Sequence, residues 1–182
     1  MELFAVNGYE GTSMAMIADK VGIKKPSLYA HYKNKEALFI DVTMAIADEY
    51  VEFVRKSLDV QTLNEKKVLY ESFKTHIHDL ARNDASIQFY NRFMQYPPKE
   101  LEGELAACAG QSDEKAVTLL ENVITKGQMS KEITEELDAK SIARTYFCLI
   151  DGLAGATTIH PLEEVERQAE TIWEVFWRGI KT

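Results

Sequence analysis

Residues Thr12 to Lys35, TSMAMIADKVGIKKPSLYAHYKNK, constrain this 182-residue chain more than any other stretch. Ile17, Ala18 and Val21 fall at i, i+1 and i+4, on one face of a helix. Thr12 or Ser13 supplies the capping hydroxyl, because an oxygen there accepts an orphan backbone N–H of the first turn. Gly22 can take the positive φ that a sharp helix exit needs. Pro26 stands near the start of a second helix, where its missing N–H is harmless. Counting from Met14, small Ala18 is fifth and Gly22 ninth, while Val21, Ile23 and Leu28 are eighth, tenth and fifteenth. This is the pattern of two short helices crossing steeply over a shared core, a helix-turn-helix.

Charge decides whether such a unit touches DNA or only packs. The formal net charge is −8, which taken globally opposes nucleic acid. Residues 20 to 35, however, carry Lys20, Lys24, Lys25, Lys33 and Lys35 with no Asp or Glu. Salt confines electrostatic fields to about 8–10 Å, so a local basic patch binds phosphate even on an acidic protein. Base edges call for short hydrogen-bonding side chains at a helix N-terminus, and Lys25, Ser27 and Tyr29 open the second helix. His31 reads equally well as a DNA contact or as an inward-facing core residue.

The string Leu3-Phe4, Gly8-Tyr9, Thr12-Ser13, Ile17-Ala18, Val21-Gly22, Leu28-Tyr29, His31-Tyr32, Lys35-Glu36 and Leu38-Phe39 resembles the DNA-binding domain of the TetR family of bacterial transcriptional regulators. The resemblance covers the first quarter of the chain. It implies an all-α fold, with a three-helix head carrying the helix-turn-helix on a larger helical body. It also implies a homodimer, a palindromic operator in double-stranded DNA, and a repressor released by a small, largely apolar effector. By the same resemblance, Lys25, Pro26 and Ser27, beside Lys24, read the major groove. Tyr29, His31 and Lys35 contact phosphates and neighbouring base edges, and Thr12 or Ser13 caps a helix pointing at the backbone. Ala15 departs from the pattern, since the family often has a basic residue there. Met1 to Asn7 reads as the last turns of an amphipathic helix that starts earlier in the family, often behind a basic arm. The expected organisation is a head over 1–35, a connecting helix over 36–58 and a ligand-binding and dimerisation body over 59–182.

Asn34 caps the connecting helix, which runs to Leu58, about 36 Å at 1.5 Å per residue. Asp59 to Leu63 reads as a polar joint, and Glu65 to Arg82 as an amphipathic helix. Asp84 to Tyr96 is apolar on two faces, so both are expected to be buried. A short helix over Lys99 to Cys108, a loop at Gly110-Gln111 and a helix closed by Gly127 follow. Gln128 to Asp138 is a polar connector before the last two helices. The aromatic cluster of Phe73, Phe89, Tyr90, Phe93, Met94 and Tyr96 is either ordinary core or an apolar pocket. Phe53, Tyr70 and Tyr146 would complete the lining. His76 and His78 point roughly 200° apart on a helix and cannot share a metal; either can serve a pocket ligand or lie on the surface.

In the last two helices, Ile142, Tyr146, Leu149 and Leu153, then Leu162, Val165, Ala169, Ile172 and Phe176 with Trp173, follow three-four spacing. With slim Gly152 and Gly155, they read as half of a four-helix interface, the alternative being the cover of a monomer's body. Nothing in the sequence reads as an enzyme: no G-x-S-x-G, H-E-x-x-H, Walker or Rossmann string occurs. Cys108 and Cys148 have neither metal-ligand nor disulfide spacing, so neither metal nor cofactor is expected. No run approaches the ~20 apolar residues of a membrane span. A reduced cytoplasm is the expected compartment. The competing class is a helical ligand-binding or adaptor protein that keeps the head as scaffold.

Overall fold

The computed structural model describes residues 1–60, 64–82 and 84–182, with the backbone but not the side chains of 94 and 95. Among them are helices α1 (Glu2–Asn7), α2 (Met14–Val21), α3 (Lys25–His31), α4 (Lys35–Leu58), α5 (Glu65–Ala81), α6 (Ala85–Gln95), α7 (Glu102–Met129), α8 (Ala139–Thr157) and α9 (Leu162–Ile180). One 3₁₀ turn, Lys99–Leu101, leads into α7.

Side-chain caps set most of the helix starts. Ser13 accepts from the Met16 N–H, Asn34 from Ala37, Asn64 from Lys67, Asp84 from Ser86 and Ile87, and Asp138 from Ser141. Each such cap is worth about 1 kcal/mol. Two expected breaks are absent from α7, which runs through Gly110 and Gly127 without interruption. An interior glycine costs a helix only about 1 kcal/mol, which the packing of Leu105, Ala116, Val117, Leu120 and Ile124 offsets. Gly127 serves a close approach instead: a Cβ there would lie 2.6 Å from Ile133 Cδ1. The joint expected over Asp59 to Leu63 falls largely on 61–63, outside the described residues.

The chain forms two units, Met1–Tyr50 with Asn83–Ser112, and Val51–Arg82 with Asp113–Thr182. This differs from the expected head over 1–35. In the first unit, Phe4, Tyr9, Met14, Ala18, Leu28, Leu38 and Phe39 share a core with Phe89 and Phe93 of α6 and Leu101 and Leu105. Phe39 is its hub, with ring centroids 4.9 Å from Phe4, 5.0 Å from Tyr9, 5.2 Å from Phe89 and 4.8 Å from Phe93. Three short helices bury too little apolar surface alone, and α6 supplies the rest.

In the second unit, α5 packs against both α8 and α9. Its buried stripe is Val68, Leu69, Ser72, Phe73, His76 and Ile77. The Gln128 to Asp138 connector is tightly bonded: Gln128 donates to the Thr134 and Leu137 carbonyls, and the Thr134 N–H donates to the Ile180 carbonyl.

Candidate nucleic-acid interface and ligand site

In the helix-turn-helix, Gly22 has φ +77°, and the Ile23 N–H behind it returns to the Ala18 carbonyl at 3.0 Å. An L side chain rarely adopts that conformation, so the turn into α3 needs glycine. Leu28 is the one buried residue of α3; Lys25, Pro26, Ser27, Tyr29, Ala30 and His31 are exposed. A helix that spends one side chain on its core leaves the rest at the surface. His31 thus lies outside the core. Lys24, Lys25 and Lys33 are exposed and, among the described residues, carry no ion pair. Lys25 Nζ lies 5.8 Å from the Tyr29 ring centroid, so ammonium and phenol share one patch.

Two residues expected at the DNA are occupied elsewhere. Thr12 is 1% exposed, and its hydroxyl donates to the carbonyls of Leu3 at 3.0 Å and Gly8 at 2.8 Å. It locks the turn between α1 and α2, while Ser13 alone caps α2. Lys35 turns inward: Nζ donates to the Tyr9 carbonyl at 2.8 Å and lies 4.0 Å from the Tyr9 ring centroid. A phosphate would have to draw the ammonium from a charge-assisted hydrogen bond and a cation–π contact together. Lys20 is paired with Glu2 at 3.1 Å on the exposed surface.

The expected aromatic pocket divides between the two units. Phe89 and Phe93 are packed into the head core, so they fill instead of lining. Tyr90 and Tyr96 are exposed, and the Met94 side chain lies outside the described residues. In the second unit, the Phe53 ring stands edge-on to His76 at 4.8 Å, and Phe73 lies 5.6 Å from Tyr146. Tyr70 is partly exposed, 5.3 Å from Trp173.

The sequence points to Tyr146 as lining and leaves His76 between pocket and surface, but Ser57 and Ser72 were missed. His76 is 2% exposed, not a surface residue, and Ser72 is fully buried. Ser57 and Ser72 hydroxyls are 2.8 Å apart, His76 Nδ1 lies 2.8 Å from the Ser72 carbonyl, and Tyr146 donates to the Leu69 carbonyl at 3.2 Å. Together they form a polar seam between Phe53, Phe73 and Phe147. The signal was legible: Ser72 and His76, four apart, interrupt an apolar stripe. Burial drives the Tyr146 hydroxyl far above its usual range. It also lowers His76, against the opposing pull of the Ser72 carbonyl and Asp79, so the ring is neutral at pH 7.

That shift has a measurable consequence. A histidine harder to protonate when folded leaves more protons on the unfolded chain, so stability falls as pH drops below the unfolded value near 6.5. The loss continues until His76 protonates in the folded state, with a slope of at most about 1.4 kcal/mol per pH unit; above pH ~6.5 the contribution is complete. Urea unfolding between pH 5 and 7.5 should show this slope as a difference between the parent protein and His76→Gln. Parallel curves would contradict it.

A shallow cleft of about 300 Å³ lies between α5 and α9, floored by Phe73, Ile77 and Ala169 and walled by Tyr70, Lys74, His78, Glu166 and Glu170. Its polar groups are paired with each other. Tyr70 donates to Glu170 at 2.6 Å, a bond that with burial pushes its hydroxyl up to about 12. His78 lies 3.5 Å from Glu166. Among the described residues no three His, Cys, Asp or Glu side chains are placed to share a metal.

The residues expected at a dimer interface also divide. Ile142, Tyr146, Leu153, Val165, Ala169, Trp173 and Phe176 are buried inside the chain. Leu162 is exposed, and Leu149 and Ile172 partly so. The three-four stripe was therefore the inward one, facing α5. The outward face is built from Cys148, Gly152, Gly155 and Ile159 of α8 and Gln168, Ile172, Val175 and Gly179 of α9, with Val175 69% exposed.

Residues 1–42 match the family described as bacterial regulatory proteins, tetR family. The HTH-type transcriptional repressor ComR of Escherichia coli K12 is 26% identical over 160 residues, spanning 85% of this chain and 73% of ComR. Among solved structures, the transcriptional regulator FadR of Bacillus subtilis in complex with stearoyl-CoA superposes with a TM-score of 0.75 at 23% identity, covering 98% of this chain and 94% of FadR. AibR in complex with isovaleryl coenzyme A and operator DNA gives 0.66 at 20% identity, over 95% and 91% of the two chains. No described helix is long and apolar enough to cross a membrane.

Proposed function

We propose, from the match of residues 1–42 to the family described as bacterial regulatory proteins, tetR family, that this chain is a homodimeric transcriptional repressor released from its operator by a small, largely apolar effector. The observation that carries the reading is α3, with six of seven side chains outside the core beside a patch of lysines without acidic partners. Lys24, Lys25 and Lys33 hold phosphates, while Ser27 and His31 reach base edges and Pro26 and Ala30 offer apolar contact to thymine methyls. It acts by binding, not catalysis, in the cytoplasm where operator DNA is.

The outward faces of α8 and α9 meet the same faces of a second copy, their small residues allowing close approach, and the dimer presents two heads to two half-sites. The effector enters at the seam of Ser57, Ser72, His76 and Tyr146. An apolar surround with a few hydrogen-bonding groups suits an apolar chain bearing one polar end. The regulators solved with stearoyl-CoA and isovaleryl coenzyme A hold acyl chains on a large, charged carrier, and the acyl chain is the part such a seam suits. Binding there shifts α4, which reaches from Lys35 to Leu58, and turns the heads out of register.

Selection from a random duplex pool tests the reading. Expected is an inverted repeat with half-sites about one helical turn apart, or a multiple of it. Acyl-CoAs from isovaleryl to stearoyl, added in turn, should weaken that duplex by roughly 5–150-fold for at least one chain length. Selection of no duplex would sink the regulator and leave the helical adaptor.

A further inference from the structure

Helix α1 ends after six residues, and its exit leaves a run of carbonyls to be satisfied. The Gly8 N–H takes Phe4, the Thr12 hydroxyl takes Leu3 and Gly8, and Tyr9 is met by the Thr12 N–H and by Lys35. Ala5 and Val6 are met from another part of the chain: Arg92 of α6 donates from Nη1 to the Ala5 carbonyl at 3.1 Å and to the Val6 carbonyl at 3.2 Å. A cation at a helix C-terminus also meets the negative end of its dipole, and α1 has no basic residue of its own in its last turn. Gly8 makes the room, since a Cβ there would lie 2.8 Å from Arg92 Nη2, and its φ of +76° disfavours any side chain.

The donor's place in the chain matters as much as its geometry. The chain arrives at α6 from α5 and leaves it into α7, both of which have residues in the second unit. Phe89 and Phe93 fix α6 to the head by non-directional packing, which tolerates sliding and rotation. The guanidinium does not, because both hydrogen bonds leave Nη1, whose two N–H bonds are held in the plane of the group.

We propose that Arg92 is a positioning residue for operator binding: it ties α6 to the exit of α1, so that α1 and the helix-turn-helix behind it follow α6. This rests on the DNA-binding reading above and adds a second route to the one through α4. Linkage makes the tie testable without a known effector, since what α6 does to the head, DNA on the head must do to α6.

The test compares the full chain with Arg92→Met, which keeps the apolar stem, and Arg92→Lys, which keeps the charge without the planar N–H pair. Hydrogen exchange is read free and with a duplex selected by the unaltered protein. In the free protein, amides of Val6, Asn7 and Gly8 should exchange about fivefold faster or more in Arg92→Met, with Arg92→Lys between. In the unaltered protein, the duplex should slow exchange along α6, and Arg92→Met should lose that slowing. Arg92→Met should also bind the duplex more weakly at an unchanged salt slope, because Arg92 meets carbonyls and not phosphate. General loosening would instead speed exchange throughout the Phe39 core. Equal exchange in α1 of the free variants overturns the tie, as does duplex-induced slowing that survives in Arg92→Met. If the unaltered protein selects no duplex, the regulator reading fails, and the free-protein comparison still decides the tie.

Discussion

Ile172→Asp with Val175→Asp leaves a folded monomer whose operator affinity is about 10²–10⁴-fold weaker, the factor that linking two heads contributes. Both residues lie on the outward face of α9, in line with Gln168 and Gly179, and neither belongs to the core. In the monomer two added carboxylates stay in water and cost little. Between two copies they are taken out of water, at several kcal/mol each. Phe176→Asp, one residue further on, makes the contrast. Its ring is buried 6.0 Å from Tyr146 and 5.8 Å from Trp173, so a carboxylate there unfolds the second unit instead of splitting a dimer. Sedimentation at micromolar concentration, circular dichroism and operator titration separate the two outcomes. A double variant that remained a dimer would move the interface off this face.

At the head, Lys25→Ala lowers the salt dependence of operator binding by about two units, because each dimer carries two copies and each phosphate contact contributes roughly 0.9. The loss is uniform across sequences. Ser27→Ala instead blurs discrimination, by about 1–3 kcal/mol at one position of each half-site. Lys35→Ala is expected to behave differently from both. Its ammonium is held by the Tyr9 carbonyl and ring, so its removal lowers the thermal stability of the head and leaves the salt slope alone. A fall in slope equal to that of Lys25→Ala would show that Lys35 swings out to phosphate on binding.

The sequence by itself determined most of the elements and the family resemblance of the head. Periodicity, Ser13, Asn34 and Asp138 as caps and Gly22 as turn are local signals, and local hydrogen bonding and sterics enforce them whatever the rest of the chain does. The helix-turn-helix was legible for that reason, as were the lysines around it. Tertiary structure alone decided which of two readings of the same residue holds. Thr12 and Lys35 have the right chemistry for DNA, yet carbonyls brought close by the fold of α1 against α4 claim them first. Phe89 and Phe93 look like pocket lining from their own helix and are head core because Phe4 and Phe39 meet them across some fifty residues or more of chain. The stripe Ile142, Tyr146, Val165, Ala169 and Trp173 has the same spacing whether it faces a partner or α5. A helix fixes which side chains share a face, but only the neighbour that covers the face fixes what it is for.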